Sequence, residues 1–375
     1  MRFTDIIGQS VLKGRLFEAI RHGRLPHALM LTGPEGVGHL PLAFALAQYV
    51  NCENPSEEDS CGQCASCKMF GKAAHPDLHV VLPVISRSEG GKPVLTEAYL
   101  ETFREKFLQT PYLGYEQWQE ALESANKQLF ISVHEMRALK RKLLLKAFGA
   151  KYKVAIIWMA ELIRVEGANA FLKLLEEPPE RTLLIMTCSD PALLLPTINS
   201  RCQRFQLNRL EASEIQTHLE NIKNLPSAEA HEVAAISEGS MGNALSFLSE
   251  STASLRQHYM EWLRAIYTGR YDKIQACLAP ILAGNKESQK VFLRFAQKKI
   301  RDGLMYAVGT QELALATSHE QEFHANFSRL LNPGKVEHII RELDASHRHI
   351  AGNAHAQMEF TALSLRLNQI LRGMN

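Results

Sequence analysis

At residues 31–40 the chain reads "LTGPEGVGHL", directly after the apolar run Ala28-Leu29-Met30. A strand running into a glycine-rich turn and then a helix is how nucleotide-binding proteins cradle phosphate. Gly33, Gly36 and Gly38 supply the backbone of such a loop. A working loop has the form G-x-x-x-x-G-K-[ST], its lysine meeting the terminal phosphates and its hydroxyl holding magnesium. Here His39 replaces the lysine, Leu40 replaces the hydroxyl, and Pro41 follows. Histidine is shorter and not reliably charged at neutral pH. Leucine cannot ligate a metal.

Outward from this loop, strands alternate with helices. Residues 27–32, 78–82, 153–159 and 182–188 read as strands, and residues 12–22 and 42–50 as helices. Ser132-Val133-His134-Glu135 is a capping box that opens a helix running to about Phe148. A further helix carries Ala168, Phe171, Leu172 and Leu175 at helical spacing and stops at Pro178-Pro179. Asp190-Pro191 suits an N-cap and first helical position. This rhythm predicts a parallel sheet covered on both faces. In a hydrolysing site the strand through Val154–Ile157 ends in acids that hold magnesium and orient water. This one runs into Trp158-Met159-Ala160-Glu161, with Glu161 on the turn beyond. Lysine, hydroxyl and strand-end acids are missing together, which argues against hydrolysis. Nucleotide held without turnover and a strand–turn–helix kept as scaffold both remain open.

Residues 85–128 break the rhythm. "SRSEGGKP" (residues 86–93) is turn-rich. Two polar helical segments follow, near 97–108 and 115–128, with Tyr99, Phe103, Phe107, Tyr112, Tyr115 and Trp118 on and between them. They read as an inserted αα-hairpin. Beyond Asn208 only helices are expected: short ones near 212–222, 231–237 and 243–248, then longer amphipathic ones, including 358–371, to the end.

A chain of 375 residues is long enough for two or three domains. Its 46% hydrophobic and 22% charged residues are those of a soluble globular protein. The net charge of +2 implies neither a histone-like nor an acidic protein. No apolar run approaches the roughly 20 residues that span a bilayer, and "MRFTDIIGQS" carries no secretion core. Seven cysteines, an odd number, and no export signal fit a reducing cytoplasm rather than a disulfide framework.

Four of those cysteines, Cys52, Cys61, Cys64 and Cys67, are spaced C-x8-C-x2-C-x2-C. Zinc prefers four soft ligands in a tetrahedron, and the Cys-x2-Cys spacing turns neighbouring thiolates toward one ion. A full thiolate set leaves no open position, so such a zinc is structural. A redox cluster and an iron–sulfur centre are the alternatives. Residues 137–153 carry seven Lys or Arg and no acid. Arg137, Lys140 and Arg141 share one helical face, either a solvated basic surface or a contact for nucleic-acid backbone.

Three segments carry a resemblance: "HALMLTGPEGVG" (27–38), "GANAFLKLLEEPP" (167–179) and "LLLPTINSRCQRF" (193–205). With the four cysteines, "HPDLHVV" (75–81) and "ISVHEMRAL" (131–139), the chain resembles the clamp-loader family of AAA+ proteins, and within it the delta-prime branch. The resemblance covers about residues 1–250. Past that only "GNAHAQMEFTALSLRL" (352–367) is similar, and the 85–128 insertion is a departure. The resemblance implies an α/β plus all-α chain in three parts. They are an AAA+ RecA-like parallel-sheet domain over 1–208, with the zinc module at about 51–68, a small helical lid over 209–251, and a C-terminal helical collar over 252–375.

It also implies a function. The chain is expected to be a non-hydrolysing subunit of the bacterial DNA polymerase III clamp loader, which loads the sliding clamp onto primed DNA. Its partners would be the ATPase gamma or tau subunits, the delta subunit, the sliding clamp and primer–template DNA, in a cytoplasmic, nucleoid-associated replisome without membrane contact. Zn2+ is the expected cofactor, and ATP is expected neither to be hydrolysed nor bound. Arg201, flanked by Ser200 and Cys202, would be an arginine finger reaching into a neighbour's ATP site. Such a finger can be worth ~10³–10⁵ in rate, and lysine lacks its forked geometry. Asn243 stands where ATPase members carry an arginine that senses ATP. The basic helix would lie near the chamber that holds DNA. Two other readings are a hydrolysing gamma- or tau-like motor, which His39, Leu40 and Trp158 do not suit, and a zinc-dependent nucleic-acid-binding regulator, whose isolated cysteine loop would bind DNA.

Overall fold

The computed structural model describes residues 1–86, 88–89, 92–124, 127–249, 251–310 and 318–373. They form two compact units, Met1–Lys223 with Glu238–Gly242, and Asn224–Ser237 with Asn243–Asn375.

The first unit is built on β1 (Ala28–Thr32), β2 (Leu78–Val81), β5 (Lys153–Ile157), β6 (Thr182–Cys188) and β7 (Gln203–Gln206), with β3 (Ser88–Glu89) and β4 (Lys92–Pro93) forming a separate small hairpin. The sheet order is β2-β5-β6-β1-β7, parallel throughout. β1, β5 and β6 are buried along their whole length, as central parallel strands covered on both faces must be. Their alternate residues feed two cores. Leu29, Leu31, Ile156 and Ile185 face one; Met30, Ala155, Ile157 and Met186 face the other. β7 is an edge strand with only Phe205 buried, so its polar "QRFQ" gives no hydrophobic signal. The chain leaves β1 for β2 at the far edge, while β7 lies on the other side of β1. The loop at the carboxyl end of β1 therefore sits where the connections diverge, the usual ligand crevice of open α/β sheets.

Helices Ser10–Arg21, His39–Val50, Val133–Leu143 and Val165–Glu176 cover the sheet. Two local expectations need correction. Ser132 does cap its helix, Oγ accepting the Glu135 N–H at 3.3 Å. Glu135 does not reach back, because its buried carboxylate accepts the Thr96 N–H from the insertion. The helix also ends at Leu143 rather than Phe148. Lys153 Nζ takes the carbonyls of Leu143 and Leu145, and the Asp77 carboxylate accepts the N–H groups of Phe148, Gly149 and Ala150 at 2.8–3.0 Å. Those backbone groups are spent off the helix ladder.

The insertion contains two helices, Leu100–Gln109 and Tyr115–Ala121. The second stops short of Gln128 because Glu123 turns with φ 50°. Residues 125 and 126 of that expected helix, and residues 87, 90 and 91 of the turn-rich stretch, lie outside the described residues. Phe103, Phe107 and Trp118 of the insertion belong to the same core as Leu29 and Phe44.

In the second unit the described residues form helices, among them Thr252–Thr268, Lys286–Ala307, Pro333–Ala351 and Ala356–Arg372. Trp262 lies at its centre, edge-on to Phe292 at 5.4 Å and donating its indole N–H to Ser364 Oγ at 2.8 Å. No described helix is long and apolar enough to cross a membrane.

Candidate functional site

The backbone of the phosphate loop is intact. Gly33, Gly36 and Gly38 have φ of 150°, 77° and 111°, a region that glycine alone enters readily. A Cβ on Gly36 would stand 2.2 Å from Ser240 Oγ. The helix His39–Val50 starts where the loop ends, so its first N–H groups frame the loop as in an anion site.

The side chains of the loop have other occupations. His39 is only 8% exposed. Burial lowers its pKa to about 4, so the ring is neutral at pH 7, and its Nε2 has no hydrogen-bond partner among the described residues. Leu40 and Trp158 are buried in one apolar cluster. The Trp158 ring lies 5.9 Å from Phe103 and 6.0 Å from Trp118. Glu161 lines the same cavity as His39. Its Oε1 accepts the Ser189 N–H at 2.9 Å, and burial raises its pKa. In the second unit, Asn243 Oδ1 accepts a hydrogen bond from Arg294 at 3.0 Å.

The four cysteines come together as their spacing predicts. Their sulfur atoms all lie within 4.8 Å of one another, and none is in a disulfide. A tetrahedral zinc with Zn–S of about 2.3 Å spaces its sulfurs about 3.8 Å apart; Cys61 Sγ and Cys67 Sγ are 3.9 Å apart. Backbone N–H groups already point at the sulfurs: Cys61 N donates to Cys52, Cys64 N to Cys61, and Cys67 N to Cys64. The Cys64 N–H is the main reason the Cys61 thiol falls to about 6, while burial pushes Cys67 up. Donor chemistry, count and spacing fit a structural zinc, with Cys52, Cys61, Cys64 and Cys67 as its ligands.

Arg201 follows the short helix Pro196–Asn199 and precedes β7. Its Nε and Nη2 meet Glu176 Oε1 at 2.8 and 2.7 Å, and Nη1 donates to Thr197 O and Ser200 Oγ. The guanidinium is thus presented at the surface on an acidic rest. Ser200 is exposed beside it, and Cys202 is half-buried, its thiol raised to about 12 by burial. On the helix Val133–Leu143, Arg137 and Arg141 are exposed and Lys140 is half-buried, opposite the core residues Met136, Leu139 and Leu143. Two members of the basic run are committed elsewhere: Lys142 pairs with Glu97, and Lys153 caps the helix.

The sequence pattern assigns no individual role to three residues that matter locally. Asp59 accepts the N–H groups of Phe3 and Thr4 at 3.0 and 2.9 Å, tying the cysteine loop to the first residues. Asp77 holds the loop before β5, as above. Tyr112, in the insertion, lines the cavity over the phosphate loop. A lone acid or tyrosine in a loop gives no pattern, although the aromatic density of the insertion is a signal that it packs on something.

These features define a RecA-like α/β domain, by its parallel strand order, with the backbone of a phosphate loop, followed in sequence by a region whose described residues are helical. Residues 8–211, more than half of the chain, match the family model for DNA polymerase III, delta subunit, and the chain belongs to that family. It is 27% identical over 255 residues to DNA polymerase III subunit tau of Bacillus subtilis, covering 67% of this chain and 38% of that protein. It is 32% identical over 180 residues to DNA polymerase III subunit delta' of Yersinia pestis, covering 48% and 41%. The chain thus spans about two-fifths of the length of these curated relatives. A gamma subunit-related protein of DNA polymerase III from Thermotoga maritima aligns over 95% of this chain and 99% of its own, at 16% identity and a TM-score of 0.43. That likeness is too loose to carry the fold, which rests on the strand order.

Proposed function

We propose that the chain is a non-hydrolysing, delta-prime-like subunit of the DNA polymerase III clamp loader. One observation carries the reading. The three positions that would handle a nucleotide's phosphates and magnesium, His39, Leu40 and Trp158, are buried and packed, while Arg201 stands at the surface. A hydrolysing gamma- or tau-like subunit needs a charged lysine, a hydroxyl and strand-end acids in those places.

In this reading the chain works through its neighbours. Arg201 leaves Glu176 and enters the ATP site of an adjacent gamma or tau subunit, where its fork stabilises charge on the transferred phosphoryl group. Ser200 and Cys202 hold the turn that presents it. The four cysteines hold zinc as a structural staple. Residues 209–251 serve as lid and 252–375 as collar, through which the chain assembles with gamma or tau and with delta to load the sliding clamp. Arg137, Lys140 and Arg141 meet phosphates of the primer–template, without reading sequence, in the cytoplasmic replisome.

The test is reconstitution with the ATPase subunits, delta and the clamp. Arg201→Ala should assemble normally yet lower clamp- and DNA-stimulated ATP turnover by at least about tenfold, a conservative threshold beside the ~10³–10⁵ a finger can supply at its own site. Unchanged turnover would count against the finger. Magnesium-dependent ATP turnover by the purified chain alone would overturn the non-hydrolysing reading.

A further inference from the structure

The 85–128 insertion has no part in the proposed function, yet its connecting turn, residues 110–114, reaches the phosphate loop. Pro111, Tyr112 and Leu113 form one wall of the cavity over Gly36, Gly38 and His39. Tyr112 is 6% exposed, and its Oη accepts the Ile7 N–H at 3.0 Å. Its ring is so close to the loop that a Cβ on Gly38 would meet Tyr112 Cε1 at 3.3 Å. From the loop's side, Glu35 Oε1 accepts the N–H of Tyr115, the first residue of the insertion's second helix, at 3.0 Å. A Cβ on Gly114 would stand 2.8 Å from that same oxygen. Two more bonds secure the loop: Ser240 Oγ donates to Glu35 O, and Gly242 N to Gly36 O. The cavity that remains is about 30 Å³, room for one or two waters, against roughly 300–1,000 Å³ in a small-molecule site.

The geometry points to the insertion as a built-in occupant of the nucleotide cleft: residues 110–114 fill the space a nucleoside phosphate would enter and hold the loop closed without a ligand. This deepens the non-hydrolysing reading and rests on it. It also gives the lost residues a common cause. Leu40 and Trp158 belong to the apolar cluster that receives Phe103, Phe107 and Trp118. A hydroxyl or a carboxylate in their places would be buried in that apolar cluster, where an unpaired polar group is costly. Two of the three residues that remove ATP chemistry, Leu40 and Trp158, are part of the floor on which the insertion packs.

The experiment compares four forms of the full chain: wild type, Tyr112→Ala, His39→Lys with Leu40→Thr, and all three together. Each is checked for folding by circular dichroism and titrated with a fluorescent ADP analogue and magnesium. Wild type and the loop-restored form are both expected to show no saturable binding, while the triple form binds at least about 30-fold tighter than the detection limit they set. Equal affinity of the loop-restored chain with and without Tyr112 overturns the proposal. So does nucleotide binding by the wild type; without turnover, that result leaves the non-hydrolysing reading standing, whereas turnover overturns both. If the triple form does not fold, hydrogen exchange on Tyr112→Ala decides. Amides of residues 36–40 are expected to lose at least about tenfold in protection, and unchanged protection overturns the proposal.

Discussion

Glu135 occupies the core-facing side of the helix Val133–Leu143 at 3% exposure, with the Thr96 N–H as its partner. Burial, the largest influence on it, raises its pKa from 4.5 to about 7. Between those values the folded chain holds a proton that the unfolded chain has released. Stability from this group is therefore complete below about pH 4.5 and is lost as pH rises through about 7. Glu135→Gln keeps an oxygen for Thr96 and removes the titration. It should match the wild type in urea unfolding near pH 4 and exceed it near pH 8 by on the order of 1–3 kcal/mol. An equal offset at both pH values would show that the carboxyl is not perturbed. The sequence marks Glu135 only as half of a capping box, because the group it serves is 39 positions away.

Among the elements, the cysteine loop and the central strands were legible in advance, each for its own reason. Thiolate spacing is a local pattern with one geometric solution, and the fully apolar runs of β1, β5 and β6 announce burial. β7 was missed because an edge strand with one buried residue carries no periodicity. The early end of the Val133–Leu143 helix was hidden for a different reason. One of its terminators, Asp77, acts from more than 70 positions away, and the other, Lys153, folds back from the start of the next strand. The cysteine loop also makes a separate prediction. Purified chain should contain about one zinc by elemental analysis, and chelation should lower the melting temperature of the sheet unit by roughly 5–10 °C, the equivalent of a few kcal/mol at this size. Hydrogen exchange should localise the loss to the cysteine loop and to Phe3 and Thr4, which Asp59 holds. A metal-free chain that melts at the same temperature would remove zinc from the account.

For the whole molecule, two compact units imply two sets of consequences for substitution. Trp262 is fully buried in the helical unit, and its indole bonds Ser364. Trp262→Ala should cost that unit about 3–5 kcal/mol and weaken copurification with partner subunits. Zinc content and the melting of the sheet unit should stay as they were. Loss of zinc in this variant would show that the units do not fold independently. The α/β-then-helical plan was readable from hydrophobic rhythm. The role of the insertion was not, because Trp158, Phe103 and Trp118 are far apart in sequence and their meeting is a tertiary event. That meeting also sets a direction on change. On the proposed reading, a lysine placed at position 39 alone would meet an occupied cleft. Emptying the cleft alone would uncover Trp158, Phe103 and Trp118, whose rings lie 5.9–6.0 Å apart, with no phosphate chemistry beneath them, so only combined changes would give a nucleotide site.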